Sequence, residues 1–366
     1  MSQNIPATMQ AMLLTGHGGY NNLEFVKNHP VPVPQAREVL IQVHACGLNN
    51  TDINTRVGWY SKGVTSSTNE DAQGDADDGD SGWGGAGINL PRIQGADVTG
   101  TVVALGAGAK ETLLNRRVLV DTWVRDWNKP HDKNKPGYIG SECDGGFAQY
   151  VKTDERNVYP VNTDLSHAEL ATFATSYSTA EHMLSRANVN ATDTVLVTGA
   201  SGGVGSALIQ LAHRRGANVV ALCGDEKRDL VASLGPLAVL PRSPENLAAA
   251  LNDAIGSTKV SVVADVVGGE LFGQLIDVLE RGGRYACSGA IAGPIVALDL
   301  RTLYLNDLTF VGTTIEPPGL FAELVSYIEK GEIRPLLAKT FALKDLVEAQ
   351  RMFVAKKHLG NIVVEP

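Results

Sequence analysis

The run from Thr194 to Gly205, Thr-Val-Leu-Val-Thr-Gly-Ala-Ser-Gly-Gly-Val-Gly, holds the residue types best suited to chemistry in this chain. A β-branched stretch ends in a glycine-rich turn, and a helical pattern opens at once through Ala207, Leu208, Leu211 and Ala212. A parallel strand that turns so tightly into a helix offers free N–H groups and the positive end of the helix dipole to an anion. Glycines let the backbone approach a pyrophosphate and let helix pack on strand. The motif reads as a dinucleotide site, and the chemistry it implies is hydride transfer.

The adenosine end of such a cofactor is read at the end of the second strand, where an acidic residue would bond the ribose diol and repel a 2′-phosphate. By position that residue is Cys223, followed by Gly224, so the expected carboxylate is missing. Lys227 and Arg228 follow at the start of the next helix, where both suit a phosphate. Asp225 either accepts the diol or caps that helix. The balance predicts NADPH.

Several elements must position these groups. β-rich runs at Asn218–Cys223, Lys259–Asp265 and Arg284–Gly289 alternate with helical patterns, as in a doubly wound parallel sheet. The first third reads differently. Met9–Leu14, Glu38–Ala45, Val98–Leu105 and Arg117–Val120 are strands punctuated by Pro30, Pro32, Pro34, Gly95, Gly100 and Gly106. That pattern suits a rolled, partly closed, mainly β domain. A helical stretch from His167 through His182 leads into the glycine-rich run. The tail holds a helix at Leu343–Ala355 and a closing strand at Gly360–Val364 that returns to the first domain. The expected division is 1–160 with 328–366, and 161–327 for the dinucleotide domain.

Composition narrows the class. At 366 residues, 43% hydrophobic and 19% charged, the chain suits two globular domains. A formal charge of −9 without a lysine-arginine cluster argues against a nucleic-acid partner. No apolar run approaches the ~20 residues that span a bilayer, and no basic-then-apolar signal opens the chain. Four widely separated cysteines, Cys46, Cys143, Cys223 and Cys287, suggest reduced thiols in a cytoplasmic protein. One segment stands apart: Ser61–Gly87 is rich in Gly, Ser and Asp and nearly empty of large apolar residues. It reads as a mobile acidic loop, serving either as a lid over the substrate side or as an insertion without kinetic effect.

Three further stretches join the glycine-rich run: Val43-His44-Ala45-Cys46-Gly47-Leu48-Asn49, Gly95-Ala96-Asp97-Val98-Thr99-Gly100 and Asp144-Gly145-Gly146-Phe147-Ala148-Gln149-Tyr150. With them the chain resembles the medium-chain dehydrogenase/reductase superfamily, and within it the zinc-free quinone oxidoreductase branch. The likeness runs from Met9 to Val364, with Ser61–Gly87 as the misfit. It implies a Rossmann-type domain beside a GroES-like, mainly β domain. Zinc-using members bind catalytic metal through cysteine, histidine and cysteine, whereas the matching places here hold Asn49, Ala96 and Thr175. An amide, a methyl and a hydroxyl do not supply thiolate and imidazole ligands. The region Asp121–Glu142, where a structural zinc lobe would lie, has no cysteine, and His131 reads as a surface residue.

The resemblance further implies that Asn49 lies near nicotinamide and substrate, an alternative to its simple use as a helix cap. Tyr60 matches a pocket tyrosine of the quinone reductases, while Asn54 replaces a second one. Tyr60 also suits a plain anchor for the loop that follows. Asp52 fits a short-helix surface or a pocket, and Lys62 and Arg56 fit surface or ion-paired cations. Ser201, Gly202, Gly203 and Val204 are expected beneath the pyrophosphate, with Gly205 completing the turn. Val267, Gly268, Ser288, Gly289 and Ala290 would line the crevice, and Asn361 would return toward the cofactor. A homodimer is expected across an edge at Leu308–Thr313, with Asp299–Tyr304 beside it. The function implied is zinc-independent reduction of a small quinone or α,β-unsaturated carbonyl by NADPH. The competing readings are an alcohol or aldehyde dehydrogenase and a nucleotide-binding protein without catalysis.

Overall fold

The computed structural model describes residues 5–68, 87–134 and 136–366. Most of the acidic segment, and with it the lid reading, lies outside the described residues. Two compact units emerge. The first gathers the described parts of Met1–Val64, Glu70–Thr175 and Pro317–Pro366, and the second holds chiefly Ser176–Glu316.

The first unit is built on a seven-stranded sheet in which Glu38–Leu48 is the central strand. It pairs antiparallel with Asp97–Leu105, with Tyr150–Asp154 and with Asn361–Glu365. A three-stranded sheet of Leu23–Pro30, Thr8–Leu14 and Arg92–Ile93 accompanies it. Alternation in the strands sends Val39, Ile41, Val43, Val98, Val102, Val118 and Val120 into one core, joined by Phe147, Ile362 and Val364. β-branched side chains pack well on such a pleated, half-buried surface. The closing strand is thus part of the first unit's central sheet, and the register Ile362↔Leu48 brings Asn361 next to Asn49.

The second unit is a six-stranded sheet with every pairing parallel. From edge to edge it runs Ala238–Pro241, Asn218–Cys223, Thr194–Val197, Val260–Asp265, Leu279–Cys287 and Thr309–Gly312. In chain order these are the third, second, first, fourth, fifth and sixth strands, so the order reverses beside Thr194–Val197. Ligands of doubly wound sheets bind outside the carboxyl ends of the strands at that reversal. Leu196, Val220, Leu222, Val263, Leu275 and Ile276 form its core.

One expected element divides in two. The stretch His167–His182 forms His167–Leu170 and then Ala174–Arg186. Ser166 and Glu169 cap the first piece reciprocally. The break at 171–173 delivers Thr175 to a buried carboxylate, described below. Among the described residues no helix is long and apolar enough to cross a membrane.

Candidate active site

In the second unit the glycine-rich turn has the backbone its sequence requires. Gly199 has φ +58°, and a Cβ on Gly205 would lie 2.2 Å from the Gly199 carbonyl oxygen. The helix Gly203–Arg214 opens from an extended Gly202, and the first N–H groups of a helix have no partner inside it. Ser201, Gly203 and Val204 are only partly buried and Gly202 is exposed, while Gly205 is packed inside.

The crevice residues on neighbouring strands are drawn together by a carboxylate the sequence reading did not use. Asp265 is wholly buried at the end of its strand. It accepts from Thr198 Oγ1 at 2.5 Å, Tyr285 OH at 2.5 Å, Val267 N at 2.8 Å and Gly268 N at 3.2 Å. Thr198 immediately precedes the glycine-rich turn, so one residue ties that turn to the Val267–Gly268 corner. Gly268 takes φ +63°, and a Cβ there would sit 3.2 Å from that of Ala290. Ser288 Oγ donates to Thr313 O at 2.8 Å, and Gly289 packs on Val266, whose carbonyl oxygen a Cβ at 289 would meet at 2.9 Å.

At the end of the second strand Cys223 is buried, and Lys227 is 8% exposed. Burial lowers the Lys227 pKa. Arg228 is exposed and its Nη2 donates to Val239 O at 2.6 Å, on the neighbouring strand. Two further charged side chains belong here. The carboxylate of Glu226 folds back against Gly224, and Arg242 follows the third strand within charge range of Lys227.

In the first unit Asn49 precedes the helix Asn50–Val57, and its backbone N–H donates to Asp52 Oδ2 at 2.8 Å. Asp52 is buried, not a surface residue. Its Oδ1 accepts from Gly95 N at 3.2 Å, and burial raises its pKa to about 7. Asp97 is completely buried. Thr175 donates to Asp97 Oδ1 through its hydroxyl and, at 3.0 Å, through its backbone N–H. Tyr138 OH stands 2.7 Å from the Thr175 hydroxyl. Burial lifts Asp97 to about 6, against the lowering effect of Thr175 and the neighbouring Asn49 amide. Asn49, Ala96 and Thr175 therefore converge on one buried polar cluster. Asn49 Nδ2 and Asp97 Oδ2 are both buried there without a hydrogen-bond partner.

Tyr60 is half-buried, edge-on to Trp59 with ring centroids 5.7 Å apart. Its hydroxyl lies by the Asn54 and Thr51 side chains, and burial pushes its pKa up to about 12. Asn361, Asn49 and Tyr60 belong to the first unit; the remaining candidate residues belong to the second. Arg56 corrects the expectation of a surface or ion-paired cation. It is fully buried, donates to Gln350 Oε1 at 2.9 Å and to Gly18 O, and stacks its guanidinium over Tyr20. It fastens the helix that carries Asp52 and Asn54. His131 is exposed, as expected.

The cluster does not fit zinc. Ala96 has no donor atom, the Thr175 hydroxyl is already spent on Asp97, and Asn49 turns an amide nitrogen, which cannot ligate, into buried space. Among the described residues no three His, Cys, Asp or Glu side chains gather as a metal site. Sequence reasoning missed Asp97, Asp265, Glu226 and Arg242 as site residues. Asp265 closes an apolar strand, which is a usable signal. The other three show their roles only once neighbouring strands are placed.

Residues 35–163 match the family model described as alcohol dehydrogenase GroES-like domain, and residues 203–330 match that of zinc-binding dehydrogenase. A solved structure from Sinorhizobium meliloti, provisionally assigned as an alcohol dehydrogenase, is 43% identical. It superposes with a TM-score of 0.90 over 100% of this chain and 98% of its own. Quinone oxidoreductase from Rattus norvegicus is 26% identical over 97% of both chains. The chloroplastic NADPH-dependent alkenal/one oxidoreductase of Arabidopsis thaliana is 27% identical over 99% of this chain and 81% of its own. The chain belongs to the medium-chain dehydrogenase/reductase superfamily, with a GroES-like domain and a Rossmann-type domain, and is an oxidoreductase of that family using a nicotinamide nucleotide.

Proposed function

We propose that the protein is a zinc-independent, NADPH-dependent reductase of a quinone or of the activated C=C bond of an α,β-unsaturated carbonyl. The observation that carries this reading is Asn49 Nδ2, a buried N–H group that stands beside the Asp97 carboxylate but completes no hydrogen bond of normal geometry, at the position where the resemblance puts a metal ligand in zinc-using members. Alcohol oxidation in those relatives relies on metal to stabilise an alkoxide. Hydride addition to an enone or quinone instead develops charge on a carbonyl oxygen, which a positioned N–H donor stabilises. Asn49 supplies that donor. A bound reduced nicotinamide would supply hydride to the electrophilic carbon, the Asn49 amide would hold the oxygen that takes up the electron pair, and a proton would complete the product. Tyr60 keeps its proton at neutral pH and stands as the candidate donor.

NADPH is supported by the missing carboxylate at Cys223 and by Lys227 and Arg228 close behind it. A homodimer is supported by the edge strand Thr309–Gly312 and the exposed Leu300, Tyr304 and Leu305 beside it. Unpaired edges and grouped apolar side chains invite pairing. A cytoplasmic setting is supported by four free cysteines.

Steady-state NADPH oxidation against enones, quinones and aldehydes tests the assignment. Enone or quinone turnover is expected, with alcohol oxidation negligible. Fast alcohol oxidation would favour the dehydrogenase reading, to which the Sinorhizobium likeness points. Dinucleotide binding without turnover on any acceptor would favour a non-catalytic protein.

A further inference from the structure

The ends of the second and third strands of the parallel sheet carry more charge than the reading at Cys223 and Gly224 foresees. Cys223 pairs with Pro241, so Gly224 and Arg242 leave the sheet side by side. Gly224 opens a single tight turn, Asp225–Lys227, which folds the next side chains back over the strand end. A Cβ built on Gly224 would come within 2.7 Å of both carboxylate oxygens of Glu226. The carboxylate thus stands over Gly224, at the end of the second strand. Around it lie Lys227 and Arg242, while Arg228 reaches across to the third strand.

We propose that Glu226 is a specificity-determining residue for the adenosine end of the cofactor, making this chain accept NADH as well as NADPH. The inference rests on the glycine-rich turn being a dinucleotide site. A carboxylate at the end of the second strand is the acceptor that a 2′,3′-diol needs and the charge that a 2′-phosphate meets unfavourably. Here it arrives from three residues beyond Cys223, by the fold of a turn. The cations Lys227, Arg228 and Arg242 suit the phosphate. The site therefore holds both recognition elements, and NADPH is bound against the opposition of Glu226. Asp225, also acidic and near Cys223, is the adjacent carboxylate and serves as the control.

Titration of the whole protein with NADPH and with NADH, followed by fluorescence or calorimetry, tests this without any acceptor. Wild type is expected to bind both, with Kd values within about tenfold. Glu226→Gln should tighten NADPH about fivefold or more and weaken NADH about threefold or more. Asp225→Asn should move neither beyond about twofold, and Arg242→Gln should weaken NADPH alone. Parallel shifts, or none, in Glu226→Gln would overturn the role of Glu226. Failure of wild type to bind either dinucleotide would instead overturn the reading of the turn itself, and the inference with it.

Discussion

The carboxamide of Asn49 stands beside the carboxylate of Asp97, close enough to lower its pKa, yet Asn49 Nδ2 and Asp97 Oδ2 complete no hydrogen bond of normal geometry. Two buried polar atoms left in this state are costly unless a ligand satisfies them. The other oxygen of Asp97 is fully engaged by Thr175, so the carboxylate is anchored on one side and open on the other. The resemblance puts the metal ligands of zinc-using members at positions 49 and 175. This chain has a hydrogen-bonded network there.

Asn49→Ala should lower kcat for enone or quinone reduction roughly 10²-fold, the scale for removing one donor from a developing oxyanion. NADPH affinity, measured by equilibrium titration, should stay within about twofold. An equal loss in cofactor binding would make Asn49 a cofactor contact instead.

The protein as purified should hold well under one zinc per subunit by elemental analysis, and exhaustive chelation should leave turnover unchanged. The reason lies in the donor set at 49, 96 and 175, which offers neither thiolate nor imidazole. One tightly held zinc whose removal abolishes activity would defeat the metal-free reading.

Removing charge at Lys227 and Arg228 together should weaken NADPH selectively. Each well-formed charged hydrogen bond to phosphate contributes about 1.5–3 kcal/mol. Because Arg228 is exposed and already donates to Val239 O, the Lys227→Gln variant should account for most of the loss. Equal losses for NADH would show that the pair does not contact a 2′-phosphate.

Asp52 and Asp97, at about 7 and about 6, hold protons more tightly in the folded chain than an unfolded carboxylate near 4 would. The unfolded state releases its protons first as pH rises, so the contribution of these groups is full below pH 4. It falls through pH 6 and 7. Asp97→Asn removes one such group while keeping an oxygen acceptor for Thr175. Its stability relative to wild type, from denaturant unfolding, should therefore improve between pH 4 and pH 7 by roughly 1–3 kcal/mol. A difference constant with pH would mean that Asp97 ionises normally.

Leu300→Asp with Leu305→Asp should shift a dimer to monomer in sedimentation velocity, because both side chains are exposed beside the edge strand. Dimers that persist unchanged would place the interface elsewhere.

The glycine-rich run was legible from sequence because each glycine answers a local constraint: φ +58° at Gly199 and a backbone contact at Gly205 leave no room for a side chain. The parallel sheet followed from β-branched runs at βαβ spacing, and the rolled first domain from short strands punctuated by glycine and proline. The absence of thiolate and imidazole at positions 49, 96 and 175 was readable by resemblance alone. Burial was not. Asp52, Asp97 and Arg56 are charged residues in short, ambiguous segments, and only packing from distant strands made them interior. The break at 171–173 was hidden because a helical period continues across it. Asp265 and Glu226 owe their positions to strand neighbours and to a single turn. Local sequence carries backbone conformation, but which carboxylate meets which hydroxyl depends on strand register between residues tens of positions apart, and that only the tertiary structure decides.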